Sequence, residues 1–163
     1  MIRFFHMDKS HKDAWLPRLF DLLYSNMEEI TYFNTTYYDA EREWISEVSP
    51  ALEKDPRQIL LCLQNDSLIG YLQYYIRDDL IMVEELQISR RYQRTLLFLA
   101  FCKQILRLLP PQVAFVEAYA DRRNLYSQSI MKRLGMACIG AADEEYPHYR
   151  GALADCKNVM RIS

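Results

Sequence analysis

Ile88-Ser89-Arg90-Arg91-Tyr92-Gln93-Arg94-Thr95-Leu96-Leu97-Phe98 joins two different periodicities. Upstream of it, Leu80 to Ile88 (LIMVEELQI) reads as a strand. Downstream, Leu97, Phe101, Ile105 and Leu108 fall on one helical stripe, and Pro110-Pro111 stops it. The joint is a loop with three arginines and no glycine.

Reading outward from the joint fixes the rest of the element order. Gln58 to Gln64, Leu68 to Arg77 and Leu80 to Ile88 are three strands. Asn65-Asp66 and Asp78-Asp79 supply turn chemistry between them, so the three read as an antiparallel meander. Further upstream, Ile2 to Phe5 is a short strand. Ser10 offers an N-cap, with Asp13 three residues on. Trp15, Leu19, Leu22 and Leu23 then mark a helix to about Asn26. Ile30 to Tyr38 is aromatic and polar without a period, and is read as a loop or a broken helix. A second helix runs from Asp39 through Trp44, Ile45 and Val48, and Pro50 is expected to end or kink it. Downstream of the joint, Val113 to Tyr119 is a strand and Asn124 to Leu134 a helix. That helix carries Ile130, Met131 and Leu134 on one side and closes at Gly135. Met136 to Ile139 and Lys157 to Ile162 read as two last strands. The order is β-α-α-β-β-β-α-β-α-β-β, a mostly antiparallel α+β sheet with one βαβ-like crossover.

Composition narrows the class of protein. The chain has 163 residues, 50% of them apolar and 26% charged, which fits a single domain over 1–163. Net charge is -2, without the basic excess of a general nucleic-acid binder. The longest uncharged apolar stretch, Thr95 to Cys102, is far short of the about 20 residues a membrane helix needs. The first eight residues turn charged too early for a secretory signal, so a cytoplasmic protein is expected. Cys62, Cys102, Cys138 and Cys156 form no CxxC pair, so neither a zinc site nor a redox motif is expected. They read as reduced core thiols.

Two stretches resemble the motifs of the GNAT N-acetyltransferases. The joint resembles that superfamily's V-x-P-x-Y-(Q/R)-G-K-G-(I/L)-G, with Ile88, Tyr92, Gln93 and Leu97 matching. The second, Asn124-Leu-Tyr-Ser-Gln-Ser-Ile-Met-Lys-Arg-Leu-Gly135-Met136, resembles N-x-x-(A/S)-x-x-x-(Y/L/M)-x-K-x-G-(F/M). Here Asn124, Ser127, Gly135 and Met136 match in register, and Lys132 stands one place before the motif's lysine. The element order is the one the resemblance implies.

The resemblance implies acetyl-CoA as cosubstrate, no metal, and direct attack of an amine on the thioester. It places the cofactor between the strand ending at Ile88 and the strand ending at Tyr119. Backbone groups near Gln87 and Ile88 would hold the pantetheine, and Gln93, Arg94, Thr95, Leu96, Leu97 and Phe98 the pyrophosphate. Arg94, Leu96 and Phe98 stand where the family has glycine. Arg90, Arg91 and Arg94 either compensate with guanidinium contacts to phosphate or are solvated surface charge. Asn124 would bond the pantetheine arm or cap its helix.

Two groups would move protons. Met131 occupies the position where many members carry a tyrosine that protonates the leaving thiolate. Some members, including a branch that acetylates ribosomal proteins, instead carry serine at the Ser127 position. Ser127 is therefore the candidate donor, or a small residue packed on the sheet. Glu84 and Glu85 lie on opposite faces of the strand where family bases occur. Glu84 is the first candidate to take the amine proton and Glu85 the second.

The acceptor side would be built from Ile30 to Tyr38 and Ala142 to Gly151. These contribute Tyr32, Phe33, Tyr37, Tyr38, Asp143, Glu144, Glu145, Tyr146, His148 and Tyr149. An acidic, aromatic lip suits a cationic amine. The alternatives to this enzyme are a catalytically inactive GNAT-fold binding or regulatory module, and an enzyme with another acyl donor. The acceptor is not legible, small amine or peptide, and a homodimer is left open.

Overall fold

The computed structural model describes residues 1–30, 34–141 and 143–162. The elements are β1 (Ile2–His6), α1 (Lys12–Met27), α2 (Tyr37–Lys54), β2 (Gln58–Gln64), β3 (Ser67–Arg77) and β4 (Leu80–Ile88), followed by α3 (Leu97–Leu108), β5 (Phe115–Tyr119), α4 (Leu125–Arg133), β6 (Ala137–Cys138), β7 (His148–Ala152) and α5 (Leu153–Met160). The strands form one seven-stranded sheet in the order β1-β2-β3-β4-β5-β7-β6. The β4·β5 pair is parallel, while β1·β2, β5·β7 and β6·β7 are antiparallel. The expected mixed, mostly antiparallel sheet is therefore present. The chain packs as two compact units, 1–73 with 85–98, and 74–84 with 99–163.

In the first unit, Leu16 and Leu19 of α1 and Leu52 of α2 meet Ile59, Leu61 and Leu63 of β2 and Tyr71 of β3 in one core. The meander follows from its turns. Asn65 and Asp66 both take positive φ, +48° and +67°, the mirror-image turn that suits a two-residue hairpin. Two expectations fail here. Ser10 is not the cap of α1. Asp8 accepts from the Ser10 N–H at 2.9 Å and starts a 3-10 turn, Lys9–His11, that leads into the helix. Pro50 does not end α2, which continues to Lys54. Continuing the helix brings Leu52 to 0% exposure, and that burial offsets part of the cost of about 3 kcal/mol for an interior proline.

In the second unit, Val83, Val116, Ala118 and Tyr149 share one sheet face with Met131 and Leu134 of α4 and with Cys156 and Met160 of α5. Gly135 has φ +84° and closes α4 as expected; its N–H bonds the Lys132 carbonyl at 3.1 Å, and the Met136 N–H bonds that of Met131 at 3.0 Å.

Lys157 to Ile162 is not a strand. It lies largely in α5, because Leu153, Cys156 and Met160 are spaced for a helix and Arg161 ends it at φ +54°. The last strand is instead His148–Ala152. Met136 to Ile139 shrinks to the two residues of β6. Val113 lies in the turn before β5, its N–H on the Pro110 carbonyl. Leu108 is 46% exposed at the end of the α3 stripe, whereas Leu97, Phe101 and Ile105 are buried.

Candidate functional site

The joint after β4 belongs to the first unit up to Phe98. The Ser89 N–H bonds the Ile69 carbonyl of β3 at 2.9 Å, and a 3-10 turn, Arg90–Tyr92, follows. Tyr92 is anchored through its hydroxyl on Gln64 Oε1. The chain then reverses at Arg94, whose φ is +61°. A left-handed residue costs an ordinary side chain about 1–2 kcal/mol, and glycine is free of that cost. The conformation thus explains why a glycine suits this position, and Arg94 holds it without one.

Thr95 locks the turn from inside. Its hydroxyl donates to the Tyr92 carbonyl at 2.6 Å and accepts from the Leu97 N–H at 3.2 Å. Among the described residues, nothing accepts from the backbone N–H of Arg94 or Leu96. Those two donors and the start of α3 form an anion-binding geometry. The Leu96 side chain is 77% exposed, outside the core. Phe98 is half-buried.

The three arginines have separate fates. Arg90 is held by the end of α1, with Nη1 on Glu29 Oε1 at 2.9 Å and Nη2 on the Ser25 carbonyl at 2.7 Å. These contacts anchor the loop to the end of α1. Arg91 lies 5.8 Å from the Tyr92 ring centroid. Arg91 and Arg94 are exposed and pair with no carboxylate among the described residues.

Behind the joint runs a polar chain that the sequence did not announce. Asn26 Nδ2, from α1, donates to Gln87 Oε1 at 3.0 Å and to the Ile88 carbonyl at 2.9 Å. Gln93 Nε2 donates to the same carbonyl at 2.9 Å, so both its lone pairs are engaged. Gln87 Nε2 donates in turn to Glu85 Oε1 at 3.1 Å. Tyr71, 0% exposed, lies near that carboxylate. Its hydroxyl has no hydrogen-bond partner of ordinary geometry among the described residues. Burial first, and the Glu85 charge second, push the Tyr71 phenol well above the usual tyrosine range. Glu85 is thus tied into the interior, and an asparagine at the end of the first predicted helix was the signal for it.

An open cavity of about 620 Å³ on the first unit is lined by Arg18, Asp21, Ser25, Tyr37, Glu41 and Ser89 among others. The Tyr37 hydroxyl lies 3.3 Å from Asp21 Oδ1 and 3.5 Å from Glu41 Oε2. Burial and the two carboxylates push it up to about 12. Tyr38 is 74% exposed. Tyr32 and Phe33 lie outside the described residues, as does Ala142.

In the second unit, Asn124 caps α4. Its Oδ1 accepts from the Ser127 N–H at 3.1 Å. Ser127 is half-buried, and its hydroxyl makes no hydrogen bond among the described residues. Met131 faces the core beside Tyr149. Tyr149 leaves the expected lip altogether: it is 2% exposed and donates to Gln128 Oε1 at 3.1 Å. His148 also leaves the loop, as the first residue of β7. Tyr146 stays outside, at 51% exposure.

Glu84, the last residue of β4 in this unit, has the parity of Leu80 and Met82. Those two pair Phe115 and Glu117 of β5. Glu117 is 7% exposed and holds two side chains of β7. His148 Nε2 lies 2.8 Å from its Oε2, and Arg150 Nη1 lies 2.7 Å from its Oε1. A lone carboxylate in the apolar strand Val113 to Tyr119 was the available signal.

The fold is that of the GNAT N-acetyltransferases. It matches the PaiA N-acetyltransferase from Thermoplasma acidophilum, solved in complex with coenzyme A, with a TM-score of 0.70 and 13% identity over 93% of this chain and 99% of that one. An acetyltransferase from Streptococcus agalactiae 2603 matches with a TM-score of 0.72 and 13% identity, over 93% and 98%. The ribosomal-protein-S18-alanine N-acetyltransferase from Escherichia coli matches with a TM-score of 0.62 and 14% identity, over 94% and 93%. The sequence matches no protein-family model, and no curated protein matches it.

Proposed function

We propose that the chain transfers an acetyl group from acetyl-CoA to an amine by direct attack on the thioester. The observation that carries this reading is the turn at the start of α3. Arg94 keeps a left-handed conformation there, and the N–H groups of Arg94 and Leu96 lack acceptors. Anion binding is the use that makes a strained, donor-rich turn worth keeping. The pyrophosphate would lie on Gln93 to Phe98, with Arg91 and Arg94 as free cations beside it. The pantetheine would run past Gln87 and Ile88. Because the Ile88 carbonyl already accepts twice, the pantetheine amides would have to use other groups there.

Chemically, the acceptor nitrogen forms a bond to the acetyl carbon and the C–S bond breaks. Ser127, whose hydroxyl is free among the described residues, would protonate the thiolate. A base must take the amine proton, and the resemblance implies Glu84 on β4 for that role. Asp21, Glu41 and Tyr37 around the open cavity support a cationic acceptor. Acetyl-CoA is the only cosubstrate in this reading, and no metal takes part.

A second reading, a binding module without catalysis, is favoured by the Thr95 hydroxyl on the Leu97 N–H and by the exposed Leu96 at the turn. Melting in the presence of acetyl-CoA, CoA and ADP separates the two. Ligand at 100 times its dissociation constant adds about 2.7 kcal/mol. For a domain of this size the shift is about 4–10 °C. Arg94→Glu reverses a charge at the turn and is expected to weaken CoA binding about tenfold. No shift at millimolar CoA would move the chain to the second reading. Unchanged affinity in Arg94→Glu would remove Arg94 from the site.

A further inference from the structure

The strongest cluster that the proposed chemistry leaves unused lies on one sheet face of the second unit. Parallel pairing sets Leu80 beside Phe115 and Met82 beside Glu117. Antiparallel pairing sets Glu117 beside Arg150 and Tyr119 beside His148. Paired residues share a face, so Tyr119 and His148 form one row and Met82, Glu117 and Arg150 the row below. The β4·β5 ladder ends at Val83 and Ala118.

The geometry of the cluster fixes the state of the imidazole. Glu117 is already neutralised by Arg150, which sits 4.3 Å over the Phe115 ring and bonds Oε1 at 2.7 Å. His148 therefore does not have to be charged to satisfy the buried carboxylate. In the neutral ring, Nε2–H donates to Glu117 Oε2 at 2.8 Å. That bond selects the tautomer and leaves the Nδ1 lone pair open. Among the described residues, nothing bonds Nδ1. The Tyr119 ring stacks on the imidazole at 4.2 Å and 15°, and so fixes its plane. The His148 side chain is 20% exposed and that of Glu117 9%. The arrangement is a buried carboxylate, an oriented imidazole and an outward lone pair, which are the parts of an oriented general base.

We propose that His148, rather than Glu84, takes the proton from the acceptor amine, with Glu117 as its positioning residue. This assignment rests on the acetyl-transfer reading. The amine enters as RNH3⁺ and gives one proton to His148 Nδ1. The neutral nitrogen then forms the amide bond as the C–S bond breaks. Its second proton leaves the tetrahedral nitrogen for solvent, and Ser127 passes its proton to the thiolate and recovers one from water. The imidazolium, stabilised by Glu117, returns its proton to water. An imidazole is the better base here because its ordinary pKa of about 6.5 lies nearer neutrality than a glutamate's of about 4.3. The titratable and charged groups of the cluster are Glu117, Arg150 and Tyr119.

Nitrogen-15 NMR of the three histidines, with His148→Gln to assign the signal, reads the tautomer without any acceptor. The neutral ring is expected to carry its proton on Nε2, and a neutral ring with its proton on Nδ1 would overturn the proposal. Transfer from acetyl-CoA to two probes, phenethylamine and 1,3-diaminopropane, reads the chemistry. His148→Gln keeps a donor to Glu117 but has no lone pair to accept a proton. It is expected to lose about 10²–10³-fold in kcat/KM and the basic rise of the pH profile, with CoA affinity by calorimetry unchanged. Glu117→Gln should move that rise to lower pH, a shift that a purely structural role would not produce. Unchanged kcat/KM and pH profile in His148→Gln, with CoA still bound, would overturn the assignment and leave the acetyl-transfer reading standing. Wild-type protein that binds no CoA would remove both.

Discussion

Tyr71 is the residue where burial and polarity conflict most openly. Its side chain is fully enclosed in the core of the first unit, and its hydroxyl finds no hydrogen bond of good geometry. An unpaired buried hydroxyl costs about 1–3 kcal/mol. Tyr71→Phe keeps the ring and deletes the penalty, so it should raise stability by about 1 kcal/mol in urea unfolding. The pH dependence follows from the same burial. The folded phenol is held above its ordinary value, first by burial and then by the Glu85 charge. The native state keeps its proton at a pH where the unfolded chain loses it. The stabilisation is complete below about pH 10, the unfolded value. It is lost as pH rises from there toward the folded value. Tyr71→Phe should flatten that alkaline loss. A variant that is less stable than wild type at pH 7 would show that the hydroxyl has a partner, such as a buried water.

At the scale of elements, β7 depends on one glycine. A Cβ on Gly151 would stand 2.9 Å from Met136 Cγ and 3.3 Å from its Cα, so the side chain and the backbone of β6's lead-in would both have to give. Gly151→Ala should destabilise the protein by about 1–3 kcal/mol, the usual cost of overpacking. A change below 0.5 kcal/mol in thermal unfolding would mean that Met136 repacks freely. This strand also marks the limit of what the sequence carried. The order of elements up to α4 was legible because each has its own periodicity or turn residues, such as Asn65-Asp66 and Gly135. The C-terminal end was not. Val159, Met160 and Ile162 resemble a strand locally, and only the tertiary burial of Leu153 and Cys156 decides for a helix. Pro50 misled for the same reason, since Leu52 beyond it belongs to the core. The candidate site was legible where it is contiguous, at Tyr92 to Phe98 and Asn124 to Ser127. It was illegible where strands meet. Glu117, His148 and Arg150 are 31 and 33 residues apart along the chain, and only the register of β5 on β7 joins them.

For the whole molecule, the cysteines offer a probe of cooperativity. All four are free thiols, and Cys62 and Cys156 are buried, one in each compact unit. Burial pushes the Cys62 thiol up to about 12 and raises that of Cys156. The thiolate is the reactive form, so neither should react with iodoacetamide at neutral pH while its surroundings stay folded. Each strand of the β3-β4 hairpin contributes residues to both units. Unfolding either unit therefore deprives the hairpin of part of its ladder. A single cooperative transition follows from that chain layout, since no clean boundary exists at which one unit could open and leave the other's strands intact. The expected outcome is that Cys62 and Cys156, resolved by peptide mass mapping after pulse labelling, show the same protection at every urea concentration. If Cys156 became reactive at clearly lower urea than Cys62, the second unit would be a separate foldon. The proposed base His148 and its partner Glu117 would then belong to the unit that opens first.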